Sequence, residues 1–300
     1  MFFHRKLRVA LQPLLDAAHQ DREQVAMTNH LLIFGMGYTA SRLAASLASD
    51  GWEVTGIRRM GGDGVVAFDD EHAVHAALAN ATHILSSIPP APDTGDSALL
   101  RYGRAIASAP AIWVGYLSST GVYGDTQGAW VDECSPIGTG RRSARSEADL
   151  AWQNWRGDVC VFRLPGIYGP GRSALDRVRD GKANRIDLAD QVFSRVHVDD
   201  IVSAVRLSFD APAGVYNIAD DEPASQNAVI EHACDLLKTE WPPLQSLEQA
   251  QLSPMARGFY AENRRVSNQK AKRLLDWQPT YPNFKQGLAA ISVAEGEKRD

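Results

Sequence analysis

From Leu31 to Leu164 the chain alternates short, nearly continuous apolar runs with longer stretches whose apolar residues recur at helical spacing. The apolar runs are LLIF (31–34), the core of GWEVTGIRR (51–59), GVVAF (64–68), THILSS (82–87), AIWVGYLSS (111–119) and DVCVFRL (158–164). Between them, the stretch from Tyr38, EHAVHAALAN (71–80), SALLRYGRAIAS (97–108) and RSARSEADLAWQNW (142–155) read as helices. Strands without polar alternation have both faces covered, and helical connections run them parallel. The predicted fold class is therefore α/β, a Rossmann-type doubly wound parallel sheet. Beyond Pro165 the pattern changes to loops rich in Gly, Pro and Arg. A helix follows HVDD (197–200), a strand is expected at GVYNIAD (214–220), and later helices are punctuated by WPP and WQPTYP. This predicts a smaller second domain, partly interleaved with the sheet. The expected division is an N-terminal extension (1–26), a sheet domain (27–165, with 196–222 returning to it) and a small second domain (166–195 and 223–300).

The first strand-to-helix turn carries the clearest chemistry. In LLIFGMGYTASRLAASL, Gly35 permits a tight turn out of the strand, Gly37 allows close approach of a pyrophosphate, and Ala40 keeps the helix near the sheet. The N–H groups at Gly37, Tyr38 and Thr39 would receive the phosphates at the positive end of the helix. The second strand ends in Ile57-Arg58-Arg59, with no carboxylate before Asp63. An acid there would accept from the ribose 2′-hydroxyl of NAD, whereas arginines suit the 2′-phosphate of NADP. NADP is the expected cofactor and NAD the alternative; two solvated loop arginines are the plain reading of the same residues.

The 300 residues carry a net charge of −5, without a long basic run, which argues against nucleic acid and anionic membranes as partners. No apolar run is long enough for a membrane span. Cys134, Cys160 and Cys234 are far apart, which suits a reducing cytoplasm and gives no zinc spacing, so no metal is expected. Residues 1–26 mix apolar residues with Gln12, Pro13, Asp16, Asp21 and Glu23, unlike a signal or transit peptide. They read as an over-long start ahead of Met27 or as an amphipathic extension, the former being preferred.

YLSSTGVYGD (116–125), RLPGIYGPGR (163–172), RVHVDD (195–200), YNIADDEPAS (216–225) and VSNQKAKRLLDWQPTYPNFKQGL (266–288) occur in that order. With the glycine turn they resemble the NAD(P)-dependent epimerase/dehydratase family, the extended short-chain dehydrogenase/reductases, over about residues 31–290. The resemblance implies that 27–165 is an NAD(P)-binding Rossmann domain and that 166–195 and 223–300 form a small, interleaved C-terminal substrate domain; it also implies a small-molecule substrate, often a sugar nucleotide, and leaves room for a homodimer. It implies catalytic hydroxyls at Ser119 or its neighbour Thr120, a turn at Pro165 that meets the nicotinamide, an anion-facing Arg172, and a helix position at Asp96 where the family has Asn. Ser119 could instead cap local backbone, and Asp96 could serve a helix N-terminus. His197 could face the cleft, or pack at the entry of a helix capped by Asp199 or Asp200.

One expected feature is absent. The family's acid/base is the tyrosine of a Tyr-x-x-x-Lys pair, but the segment expected to carry it reads SPIGTGRRSARSEADLAW. Arg142 or Arg145 can replace lysine as a hydrogen-bond donor, but arginine does not give up a proton. Two functions follow: an NADP-dependent oxidoreductase or epimerase with an unconventional acid/base such as Asp96, Glu147 or His197, or a catalytically inactive NADP(H)-binding sensor or scaffold.

Overall fold

The computed structural model describes residues 29–62, 64–138 and 143–296, so the expectations for 1–26 and for Arg142 lie outside the described residues. Seven strands form one parallel sheet: β1 (His30–Phe34), β2 (Glu53–Arg58), β3 (Val65–Ala67), β4 (His83–Ser86), β5 (Trp113–Ser119), β6 (Val159–Leu164) and β7 (Gly214–Asn217). Their order is β3-β2-β1-β4-β5-β6-β7, so the strand order reverses between β1 and β4. Phe34 faces Ile57 on one side and Ser86 on the other, which aligns the carboxyl ends where ligands of such sheets bind.

The helices are α1 (Tyr38–Ser49), α2 (Glu71–Asn80), α3 (Ser97–Ser108), α4 (Ser143–Trp155), α5 (Ala174–Arg179), α6 (Val198–Leu207), α7 (Gln226–Leu237), α8 (Pro254–Phe259), α9 (Gln269–Leu274) and α10 (Phe284–Gly296). Successive strand residues point to opposite faces. Leu31, Ile33, Leu85 and Phe162 therefore pack with Leu43 and Leu47 of α1 and Ile201 of α6. Leu32, Phe34, Ile84 and Val114 pack on the other face with Val74 of α2, Tyr102 of α3 and Trp152 of α4. Two buried faces explain why the strands read as unbroken apolar runs.

Beyond the sheet, Leu175, Val229, Ile230, Phe284 and Leu288 form a separate cluster between α5, α7 and α10. Ala271, Leu275 and Trp277 instead join the α1 side of the sheet, where the Trp277 indole donates to the Asp200 carbonyl (3.1 Å) and Ser203 Oγ (3.0 Å).

The expected cap of α6 needs correction. The helix begins at Val198, and His197, not Asp199 or Asp200, caps it by accepting the Asp199 N–H at Nδ1 (3.2 Å). The two acids thereby serve tertiary contacts. Asp199 pairs with Arg42 of α1 at 2.6 Å. The buried Asp200 carboxylate accepts the N–H groups of Thr280 (2.6 Å) and Tyr281 (3.1 Å), anchoring the C-terminal loop.

A buried polar network crosses the layer beneath the carboxyl ends. Arg163 of β6 binds Asp149 of α4 through two hydrogen bonds (2.7 and 3.1 Å), and Asp149 also accepts from Ser118 Oγ (2.5 Å) and Gln153 (2.6 Å). Arg163 donates to the Tyr123 hydroxyl (2.9 Å), which donates to Asn217 Oδ1 on β7 (2.8 Å). The network locks α4 against β5, β6 and β7, and nothing in the spacing of these residues announced it.

Candidate functional site

The two fingerprint glycines do different jobs. Gly35 sits at φ +91°, and a Cβ there would lie 2.9 Å from Ile88 Cγ1 and 3.0 Å from Ser87 Oγ, so the fold itself demands glycine. Gly37 has an ordinary φ of −86°, and a Cβ there would meet nothing within 4 Å. Gly37 also precedes α1 without any side-chain cap on the helix. The first-turn N–H groups therefore open onto a cleft of about 910 Å³ running across the carboxyl ends of the strands. The wall opposite is the loop after Gly169. It is fixed by the Tyr38 hydroxyl donating to the Pro170 carbonyl (3.0 Å), with the Arg172 guanidinium 5.6 Å from the Tyr38 ring.

Gly37, Tyr38, Thr39, Ala40, Ser119, Thr120 and Pro165 all line this cleft. Ser119 Oγ accepts the Gly121 N–H (3.1 Å) and so caps the short turn Thr120–Tyr123. A hydroxyl has one donor and two acceptor positions, so this cap leaves the proton of Ser119 for another acceptor. Arg58 and Arg59 are exposed at the end of β2, outside the cleft lining. Arg58 donates to the Met36 carbonyl (3.1 Å), which holds its guanidinium beside the glycine turn.

The remaining candidates stand back from the cleft. Asp96 caps α3 by accepting the Leu99 N–H (2.9 Å) and also accepts from the Trp152 indole (2.9 Å). Burial pushes its carboxyl above the usual range, opposed by these hydrogen bonds and by nearby Arg145. Arg145 is the α4 residue that lines the cleft, while Glu147 faces outward, exposed. His197 is buried between the rings of Tyr281 (4.2 Å) and Tyr168 (5.2 Å). Burial pushes its imidazole down to about 4, so it is neutral at physiological pH. His83, buried at the start of β4, is likewise pushed down to about 4.

These two histidines favour unfolding in acid, while Asp220, whose carboxyl burial pushes up to about 8, acts in the opposite direction. Between an unfolded value of about 6.5 and the folded value of about 4, the unfolded chain takes up protons that the folded one refuses. The histidines' share of stability is expected to be lost as pH drops through this window. His197→Asn, whose amide oxygen can replace Nδ1 as the cap, is expected to gain melting temperature relative to the parent as pH falls through this window; a constant difference would remove His197 from the acid response.

No family model matches the chain. A solved structure from Silicibacter pomeroyi DSS, described as a functionally unknown conserved protein, is 40% identical, with 89% of this chain and 99% of that one covered and a TM-score of 0.81. The chain belongs to the family of that protein. Its fold is that of the extended short-chain dehydrogenase/reductases. With this fold, dTDP-glucose 4,6-dehydratase of Bacillus anthracis in complex with NAD superposes at TM-score 0.74 (17% identity, 90% of this chain and 97% of that one). The human epimerase family protein SDR39U1 with NADPH superposes at 0.71 (18% identity, 88% and 99%). A Streptomyces 3-diazoavenalumate denitrifying reductase is 33% identical over 140 residues, 43% of this chain; the match spans under half, 45%, of that relative's length. Among the described residues no helix of the chain is long and apolar enough to cross a membrane.

Proposed function

We propose that the cleft binds NADP(H), with NAD as the weaker ligand, and that the protein is an oxidoreductase or epimerase acting on a small carbonyl or hydroxyl compound or a sugar nucleotide. The observation that carries this is the open, uncapped start of α1 at Gly37, a cradle that a dinucleotide pyrophosphate fits and that the chain itself does not fill. Relatives of the same fold, in complex with NAD and with NADPH, support it.

When bound, the nicotinamide would supply hydride chemistry. The chain's part is orientation and charge. Ser119, its acceptor side held by Gly121, directs its proton toward a substrate oxygen, with Thr120 beside it. Arg145 presents a guanidinium where the family has its lysine helix, able to donate to ribose hydroxyls or a developing oxyanion. Asp96 connects to the cleft through Arg145, and His197 through the ring of Tyr168. Among the described residues Glu147 has no such connection. The absence of a phenol–lysine pair favours the second reading, an NADP(H)-binding sensor or scaffold.

Two measurements divide these readings. Ser119→Ala is expected to lower hydride transfer by one to three orders of magnitude without changing NADP affinity, because the hydroxyl acts on substrate. No transfer from NADPH across sugar nucleotides and small carbonyl compounds, despite tight NADPH binding, would leave the sensor. Replacing both Arg58 and Arg59 by alanine is expected to weaken NADP by roughly ten- to a few hundred-fold, with NAD nearly unchanged, by calorimetry. Equal weakening of both dinucleotides would remove the arginines from the 2′-phosphate.

A further inference from the structure

The end of the cleft away from α1 is assembled from segments far apart in the chain. Phe193 and Tyr260 meet edge to face, their ring centroids 5.5 Å apart at 90°. Phe259 lines the same wall with 55% of its surface exposed, while Phe284 and Leu288, which also border the cleft, are buried. A large ring left open inside a cleft is an unfilled contact, because apolar surface gains free energy by leaving water.

The charges at this end are mostly committed. Arg264 pairs with Glu262 (2.9 Å) and donates to the Gly124 carbonyl (2.7 Å). Arg195 is buried and donates to the carbonyls of Phe193 and Ala224, both at 2.8 Å. Arg177 makes no ion pair among the described residues and one long hydrogen bond, to the Lys182 carbonyl (3.4 Å). It lies near the Tyr260 phenol, where its charge opposes the upward push of burial. Asp176 and Asp180 line the same region. One uncommitted guanidinium beside two carboxylates suits a singly charged anion, whereas a diphosphate would bring several negative charges toward both acids.

We propose that this end of the cleft takes a planar aromatic acid, its ring against Phe193, Phe259 and Tyr260 and its carboxylate on Arg177. The inference rests on the reading that the α1 end holds the dinucleotide, and it names the substrate class of the same site. It separates this protein from sugar-nucleotide enzymes that share its fold. Guanidinium and carboxylate form paired, charge-assisted hydrogen bonds, and aromatic rings prefer the offset and edge-on contacts that this wall offers.

The test is calorimetric titration of 4-hydroxycinnamate, and separately of UDP-glucose, into the full chain with and without saturating NADP, whose own affinity is measured on the same samples. Saturable one-site binding of 4-hydroxycinnamate is expected, weakened about ten- to a hundred-fold by Arg177→Gln and several-fold by Phe259→Ala. Both side chains are exposed, so the variants are expected to keep the parent's circular dichroism and NADP affinity. UDP-glucose bound while 4-hydroxycinnamate gives no heat, or 4-hydroxycinnamate bound equally by the parent and Arg177→Gln, overturns the assignment even where NADP still binds. If 4-hydroxycinnamate binds as expected and NADP does not, the aromatic-acid site stands and the cofactor reading falls.

Discussion

Gly37→Val is expected to abolish dinucleotide binding while leaving the folded protein intact. At φ −86° valine is conformationally acceptable, and its Cβ would meet no atom within 4 Å, so melting temperature should shift by no more than about a degree or two. The open space it fills is the cradle at the start of α1. Losing two or more N–H contacts to phosphate oxygens should weaken NADP roughly a hundredfold or more. Gly35→Ala is the opposing control. Its φ of +91° and its approach to Ile88 and Ser87 place the damage in the fold, at a cost of about 1–3 kcal/mol. Calorimetry with NADP and a thermal melt on both variants checks the pair. A Gly37→Val protein that binds NADP as tightly as the parent would show that the ligand does not sit on α1.

The largest stability loss is expected at Asp149. Its carboxylate is fully buried and holds the Arg163 guanidinium, so Asp149→Ala leaves a buried cation without its counter-charge. Breaking such a pair from one side costs about 3–5 kcal/mol, which corresponds to a fall in melting temperature on the order of ten degrees. Replacing both partners with apolar residues, Asp149→Leu with Arg163→Met, is expected to recover much of that loss, because the uncompensated charge is gone. A double variant as unstable as Asp149→Ala would mean that the remaining bonds to Tyr123 and Ser118 dominate. Denaturant melts at pH 7 measure all three.

Much of the sheet-forming half was legible because its signals are local. The apolar runs became strands within one or two residues, and the helix expected at 71–80 spans Glu71–Asn80. Gly37, Tyr38, Thr39, Ala40, Ser119, Thr120 and Pro165 are neighbours in sequence to the strand ends that place them, and they meet in one cleft. The start of α6 was misjudged because His197, a rarer cap than aspartate, had an acceptor nitrogen in reach. Both aspartates were wanted by distant partners, Arg42 and the Thr280–Tyr281 backbone. The aromatic end of the cleft left no trace, since Arg177, Phe193 and Phe259 belong to three separate segments.

The sequence by itself determined the parallel sheet, the strand-to-helix glycine turn and the missing tyrosine–lysine pair. Periodicity, glycine and absence are all properties of a linear stretch. Only the tertiary structure decided which of two glycines the fold requires and which opens onto the cleft, because that depends on what surrounds each Cα. It alone joined Asp149 to Arg163, since the choice of a buried charge's partner is made by desolvation after the layers pack. It also set Arg145 in the cleft and Glu147 outside it, a difference of two positions on one helix that the rotation of α4 against the sheet controls.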